Sequence, residues 1–291
     1  MLNNCFNYIG SKDRLFSVID KNLDKSKKNF IDVFCGSGVV GTNELNNYDR
    51  VVMNDMCWQV IDTLKFFRDN DYSKVIHDIE RVIYDYGLSK TNKEGYLKLR
   101  EDYNADPFLR LVFEPAMFYC LVTHSFNYSI HINSKGKFSV PFGANKSYFN
   151  SSLREKLEGF QWELRQNKDK ITFKTESFDK LLLDAKKVAK DSMFYLDPPY
   201  LSSDDSYSRI YYLGKWDEDK ERKLYNCLDE INECGGSFLL SNVIENNGKW
   251  NKILDEWSKK YNVLEVSASY ESCNYQRKNE GKTKEILVRN Y

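Results

Sequence analysis

Apolar positions along the first sixty residues change period twice. Leu15, Phe16, Ile19 and Leu23 fall on one face of a helix spanning residues 13–23. Asn29-Phe-Ile-Asp-Val-Phe34 is a short apolar run, read as a strand. It ends in Cys35-Gly-Ser-Gly38, a tight turn before a helix start at 39–46. A second strand, Asp49-Arg-Val-Val-Met-Asn-Asp55, closes on an acid. Strand, glycine turn, helix, strand, acid is the opening of a doubly wound α/β sheet.

From Trp58 to about Phe126 the pattern is helical in several pieces, with breaks near Asp69-Asn-Asp71, Gly87 and Ala105-Asp-Pro107. Residues 127–150 alternate or lose period around Gly136, Pro141 and Gly143, which predicts a hairpin or loop. A helix at 151–166, a strand at Ile171-Thr-Phe-Lys and a helix at 179–189 follow. Ser192-Met-Phe-Tyr-Leu-Asp197 is a buried strand running into Pro198-Pro-Tyr200. A polar, Tyr-rich loop covers 201–216. The remaining expectations are a helix at 217–234, a strand at 236–243, a helix at 249–260 and closing strands at 263–269 and 285–290. Regular β/α alternation at both ends brackets a helical stretch. The pattern predicts a Rossmann-like core from 1–57 and 166–291, carrying an inserted domain at 58–165.

Composition narrows the class. With 41% hydrophobic and 30% charged residues but only 14 Gly and 5 Pro, the chain is globular. The seven cysteines are scattered without a C-x-x-C pair, and the three histidines share no metal-ligand spacing with them, so reduced thiols in a cytoplasmic protein without a metal are expected. No apolar signal core or membrane-length run is present, so no membrane partner is expected. Net charge is zero, but the distribution is uneven. From Pro115 to Arg154 there is no acid, while Lys135, Lys137, Lys146 and Arg154 are present. The tail from Cys273 carries Arg277, Lys278, Lys282, Lys284 and Arg289 against Glu280 and Glu285. Two basic segments on a neutral protein fit a localised polyanion-binding face.

Two constellations carry chemistry. In Asp32-Val-Phe34-Cys-Gly36-Ser-Gly38, glycines after a strand let the backbone approach a ligand, and the following helix points N–H groups at it. Asp55, at the end of the next strand, is placed to accept hydrogen bonds from ribose hydroxyls, so the pair suggests an adenosine-type ligand. The second constellation is Asp197-Pro198-Pro199-Tyr200. An exocyclic aromatic amine is a poor nucleophile, because its lone pair is delocalised into the ring. Asp197 and the Pro198 carbonyl can accept its hydrogen bonds as the nitrogen pyramidalises, and consecutive prolines fix the carbonyl direction. Tyr200 offers a flat face to hold the base in line with a methyl donor.

With both motifs in place, the chain resembles the Dam-type, or alpha-group, adenine-N6 DNA methyltransferases. The resemblance covers nearly the whole length: Asn7-Tyr8-Ile9-Gly10-Ser11-Lys12, Asp32–Gly38, Asn54-Asp55, the segment Ser125–Gly143, Phe194–Tyr200, Leu240-Ser-Asn-Val243 and Thr283–Tyr291. It implies a class I S-adenosylmethionine-dependent core with a largely helical target-recognition insert containing a β-hairpin. Tyr8 and Lys12 match residues that help bind S-adenosylmethionine. Asp32 and Phe34 match those beside its methionine end and adenine. Asp55 matches the ribose acid, and Asp197 the catalytic acid, which also lies near the cofactor. Ser177-Phe178-Asp179 matches a further adenine-contacting segment, and Cys35 is read as a small filler. The implied substrate is adenine in double-stranded DNA, which must leave the base stack to meet an in-line methyl donor.

Asn127, His131, Asn133, Lys135 and Lys137 are the candidate DNA contacts, combining amides and lysines suited to base edges and phosphates. One departure stands out. His131 occupies a position where relatives of this pattern commonly have Arg, the usual bidentate reader of guanine, so a GATC-like target does not carry over. Host, phage and restriction-system roles stay open, with a cognate restriction endonuclease as one candidate partner and a monomer or weak dimer as the assembly. Two rival readings are an RNA or protein-amide methyltransferase and a non-catalytic DNA-binding subunit. Asp197 in place of Asn counts against a protein-glutamine enzyme, and the intact Gly36, Gly38, Asp55 and Asp197–Tyr200 count against a decayed one.

Overall fold

A computed structural model describes residues 1–7, 11–105, 107–201, 215–266 and 283–291, without the side chains of 107–114. Tyr8, Cys273, Arg277, Lys278 and Lys282 lie outside the described residues. The opening helix is shorter than its apolar pattern predicts: a single 3₁₀ turn at Lys12–Arg14 leads into α1 (Phe16–Lys21). Then come β1 (Asn29–Asp32), α2 (Val39–Asn43) and β2 (Arg50–Asn54). Five helices follow without a strand: α3 (Trp58–Asp69), α4 (Tyr72–Asp85), α5 (Lys93–Ala105), α6 (Pro107–His124) and α7 (Ser151–Gln166). Their boundaries fall at the predicted breaks. The α/β alternation resumes with β3 (Ile171–Lys174), α8 (Phe178–Ala185), β4 (Ser192–Leu196), α9 (Glu218–Glu233) and β5 (Ser237–Asn246). The chain closes through β6 (Lys249–Trp250), α10 (Lys252–Ser258), β7 (Asn262–Val266) and β8 (Thr283–Arg289).

These strands form one mostly parallel sheet in the order β3-β2-β1-β4-β5-β8-β7, with β6 folded back on β5. The order from β3 to β5 is that of a doubly wound sheet. The strand β8 pairs antiparallel with both β5 and β7. The order in which successive strands are added reverses between β1 and β4, which are parallel, hydrogen-bonded neighbours with Asp32 opposite Tyr195. In such sheets the crevice beyond the carboxyl ends of the strands at that reversal is where ligands bind. Asp32 ends β1 and Asp197 directly follows β4, so the topology alone brings the two motifs to one spot.

Alternation along the buried strands divides the core between the two faces. Ile31, Phe194, Leu196, Leu240 and Ile286 pack with α8, α9 and α10 on one face. Phe30, Met193, Tyr195, Leu239 and Leu287 face the other, where they join a single apolar cluster that also holds Phe6, Val60, Leu64, Phe67, Ile79, Tyr96, Tyr119 and Phe160 from the amino-terminal segment and the long helical stretch.

The expected hairpin at 127–143 is only partly formed. Two isolated antiparallel bridges, Ser125–Phe142 and Ile132–Phe138, replace a paired ladder. The two arms are held by the Asn133 N–H on the Lys137 carbonyl and the Ser139 N–H on the His131 carbonyl, both at 2.9 Å, and helix α5 ties down the outer backbone groups of the second arm. The Asn104 amide both accepts from the Phe138 N–H (2.8 Å) and donates to its carbonyl (2.9 Å), while Tyr96 and Arg100 donate to the Val140 carbonyl at 2.8 and 2.9 Å. Asn127 and Tyr128 take left-handed φ values of 54° and 52°, turning the chain where a strand would continue.

Candidate active site

The glycine corner is built by backbone conformations that favour glycine. Gly36 and Gly38 have φ of 49° and 75°, and a Cβ on Gly38 would meet Leu64 Cδ1 at 3.1 Å. Gly41 lies one turn further on, and its N–H donates to Asp32 Oδ2 at 3.2 Å. Asp55 holds the corner from the next strand: its two oxygens accept from the N–H groups of Gly36 (3.0 Å) and Cys57 (2.8 Å). Burial raises the carboxyl pKa of Asp55, against the pull of those two donors. Burial also lifts Asp32 well above the usual carboxylate range, and Asp197 and Asp55 add to the rise. Asp32 is 1% exposed, and its Oδ1 has no hydrogen-bond partner among the described residues.

Phe34 is half-buried beside the corner and belongs to an aromatic group. Its ring lies 5.8 Å from Phe178 and 5.8 Å from Trp216, the latter edge-on at 82°. In the sequence Trp216 is only one aromatic in a polar loop. Its indole N–H donates to Glu221 Oε2 at 2.5 Å. Glu221 is itself fully buried, and Asn251 (2.8 Å), Asn242 (3.3 Å) and Tyr225 donate to it. A buried carboxylate with four donors fixes the indole against Phe34 and Phe178.

At the end of β4 the Asp197–Tyr200 turn meets the amino-terminal segment. Lys12 is nearly buried, with its Nζ 3.1 Å from Asp197 Oδ1, 3.1 Å from Glu285 Oε1 and hydrogen-bonded to the Tyr200 hydroxyl. The Tyr200 O–H lies 3.0 Å from Asp197 Oδ1, and Ser241 donates to Glu285 at 3.0 Å. Lys12 Nζ is 5.1 Å from the Tyr200 ring centre while bonded to its hydroxyl. That combination places the ammonium beyond the oxygen, near the ring plane, so it covers neither face. Tyr200 is half-buried, Pro198 buried and Pro199 exposed.

Burial opposes the Lys12 charge, but Asp197, Tyr200 and Glu285 outweigh it and hold the ammonium pKa well above its ordinary value. Burial raises Asp197; Lys12 pulls it back and Glu285 adds to the rise, leaving a net upward shift. Burial, with Asp32 and Asp55 nearby, pushes the Cys35 thiol far up, as suits a filler and not a nucleophile.

Sequence motifs therefore converge: Lys12, Asp32, Phe34, Gly36, Gly38, Asp55 and Asp197–Tyr200 come from four separate segments to one end of the sheet. Glu285 and Ser241 join them, although in the sequence only the motifs around them stand out. Among the described residues, no cluster of His, Cys, Asp or Glu is arranged to hold a metal.

The 127–143 segment lies apart from this cluster in sequence and carries its own polar surface. Asn127 is exposed, as are Lys135 and Lys137 at the tip. Asn133 spends its side-chain oxygen on that tip, accepting from the N–H groups of Lys135 (2.9 Å) and Lys137 (3.1 Å). His131 is half-buried, with Nδ1 bonded to the Ser139 hydroxyl.

Comparison with known proteins identifies the family. A family profile described as D12 class N6 adenine-specific DNA methyltransferase matches residues 8–272. The chain belongs to that family. It is 34% identical over 292 residues to the modification methylase StsI of Streptococcus sanguinis, a match covering 98% of this chain and 42% of that protein. The type II methyltransferase M.FokI of Planomicrobium okeanokoites is 33% identical over 287 residues, again covering 98% of this chain and 42% of the relative. The type II methyltransferase M.MjaIII of Methanocaldococcus jannaschii is 28% identical over 316 residues, covering 98% of this chain and 97% of its own length. The chain thus spans less than half the length of the first two relatives. No described helix is long and apolar enough to cross a membrane.

Proposed function

We propose that this chain transfers the methyl group of S-adenosylmethionine to N6 of an adenine in double-stranded DNA. The observation that carries this reading is the meeting of the Asp197–Tyr200 turn with the Asp32–Gly38 corner at the β1/β4 reversal of the sheet. The antiparallel β8 between β5 and β7 supports a class I methyltransferase core formed by 1–57 and 166–291.

The residues fit the cofactor. Asp32, Asp55, Asp197 and Glu285 outnumber Lys12, an imbalance that a ligand with an ammonium and a sulfonium relieves. The unpartnered Asp32 Oδ1 is an acceptor waiting for a donor. Phe34, Phe178 and Trp216 offer aromatic walls for a purine, and Asp55 keeps lone pairs for ribose hydroxyls. Tyr8, outside the described residues, is assigned by resemblance to the same site. When bound, S-adenosylmethionine supplies an electrophilic methyl group on sulfur.

The chain's own residues prepare the nucleophile. An adenine extruded from the duplex stacks on Tyr200, whose hydroxyl is anchored by Lys12 and Asp197. Its amino group donates to Asp197 and to the Pro198 carbonyl. These acceptors strengthen as positive charge develops on the nitrogen, which stabilises the transition state more than the ground state. Asp197, raised by burial but paired with Lys12, then sits beside the proton that N6 must lose.

Residues 58–165 serve as the target-recognition insert, with Asn127, His131, Asn133, Lys135 and Lys137 facing DNA. Lys135 and Lys137 contact phosphates. The names modification methylase and type II methyltransferase support a place on the modification side of a restriction–modification system, in the cytoplasm, as a monomer or weak dimer with a cognate endonuclease as functional partner. The test is expression in a methylation-free host followed by genome-wide mapping of modified bases. N6-methyladenine at one recurrent sequence supports the reading; an unmodified genome, or methylation on cytosine, overturns it.

A further inference from the structure

Tyr195 is a buried polar group that the proposed chemistry does not use. It sits in the middle of the sheet, 1% exposed, directly across from Asp32 in the β1–β4 register. Its ring lies parallel to Phe30, 6.5 Å away, which accounts for the aromatic part of the side chain. The hydroxyl has no such account. Neither it nor the neighbouring Asp32 Oδ1 has a hydrogen-bond partner among the described residues. Two adjacent strands thus present a donor and an acceptor, both buried and both unpaired, at the one place where the sheet order reverses. Nearby buried polar groups of this sheet face are satisfied: Ser241 donates to Glu285, and Lys12 reaches Asp197, Glu285 and Tyr200.

An unpaired buried hydroxyl is costly, and phenylalanine would fill the same space without that cost. The surroundings also define what the pair suits. Burial, with Asp197 adding, keeps the Tyr195 phenol firmly protonated, so it offers a neutral O–H. Lys12 acts on it electrostatically and offsets part of the negative field that Asp197 and Asp32 set up there, so the hydroxyl suits an acceptor that brings its own counter-charge. Asp32 Oδ1, an acceptor one strand away, suits a cation. A hydroxyl and a carboxyl on neighbouring positions of two paired strands match a zwitterion, with the carboxylate end on Tyr195 and the ammonium end on Asp32.

Resting on the methyltransferase reading above, we propose that Tyr195 is a cofactor-positioning residue: its hydroxyl donates to the α-carboxylate of the methionine end of S-adenosylmethionine while Asp32 Oδ1 accepts from the α-ammonium. This pair selects the amino-acid end of the cofactor, separately from the aromatic group around Phe34, which holds the purine.

The test is binding of unreactive ligands by calorimetry to the whole protein and to Tyr195→Phe. S-adenosylhomocysteine carries the full amino-acid end, S-adenosyl-3-thiopropylamine lacks only the carboxylate, and 5′-methylthioadenosine lacks both groups. The variant should bind S-adenosylhomocysteine about ten- to a hundred-fold more weakly, the size expected for one hydrogen bond to a charged group. It should bind the other two as the parent does. Its midpoint of thermal unfolding without ligand should be equal or higher, because a buried unpaired hydroxyl has been removed. Equal affinity of both proteins for S-adenosylhomocysteine overturns the assignment, and so does a parallel loss for all three ligands. Failure of the parent protein to bind any of them overturns the methyltransferase reading itself, and the assignment with it.

Discussion

Lys12 and Glu285 stand 273 positions apart in the chain and 3.1 Å apart in the fold. Their ion pair ties the amino-terminal turn to the antiparallel strand β8, and both side chains are almost completely removed from solvent. Asp197 and Tyr200 meet the same ammonium from β4. A single lysine thus joins the first and last segments of the chain to the proposed catalytic turn.

Removing the Glu285 charge should therefore destabilise the protein. Stripping one partner from a buried pair costs about 3–5 kcal/mol when nothing else compensates, and here Asp197 remains. Glu285→Gln should lower stability to urea by roughly 2–3 kcal/mol on that scale. A change under a few tenths of that, in denaturant titrations of both proteins, would mean the pair is mechanically idle.

Asp197 should separate chemistry from binding. Asp197→Ala should reduce methyl transfer by at least about 100-fold, the scale of losing one aimed transition-state group. Its affinity for duplex DNA should stay within a few-fold of the parent. Filter-binding and single-turnover measurements on the same preparation read both quantities. Equal losses in the two would remove Asp197 from the chemical step.

The lysines at the 127–143 tip should contribute through phosphates. Both Lys135 and Lys137 are exposed. Each phosphate neutralised contributes roughly 0.9 to the slope of log affinity against log salt. Replacing both with Ala should flatten that slope by up to about 2 and weaken binding at low salt. An unchanged slope would take this loop off the DNA.

Glu44 sets a pH dependence away from the site. It follows α2, is fully buried, and accepts from Asn47 at 2.9 Å. Burial pushes its carboxyl up to about 7, with Asp20 adding to the rise. For an acid whose folded pKa lies above its unfolded one, the native state holds the proton more tightly. That stabilisation is complete below about pH 4.5 and is lost as pH rises through about 7. The stability of Glu44→Gln relative to the parent should therefore increase between pH 4.5 and 7.5, by up to about 3 kcal/mol. Thermal melts across that range check it; a pH-independent difference contradicts it.

What the sequence revealed follows from how far apart the cooperating residues lie. Asp32–Gly38 and Asp197–Tyr200 are local: strand, turn and chemistry sit within a few residues, so pattern and spacing expose them. Glu285 was hidden because only the β5–β8 pairing brings it to Lys12. Trp216 was hidden because a lone aromatic in a polar stretch gains meaning only from Phe34, Phe178 and the buried Glu221 behind it. The hairpin or loop at 127–143 was legible in outline, as two arms meeting at single bridges, but the side chains of Asn104, Tyr96 and Arg100 that hold its outer backbone groups carry no signal for that role. One missed element was legible. Asn247-Gly248, with φ of 52° and 79°, is the favoured two-residue hairpin turn, and it folds β6 back on β5.

The proposed activity is tested most directly with purified protein, S-adenosylmethionine labelled on its methyl group, and unmethylated duplex DNA, followed by digestion to nucleosides. The account requires the label in N6-methyldeoxyadenosine, and its disappearance with Asp197→Ala. Label in a cytosine derivative, label only when RNA or protein replaces the DNA, or unaltered transfer by the variant would contradict it.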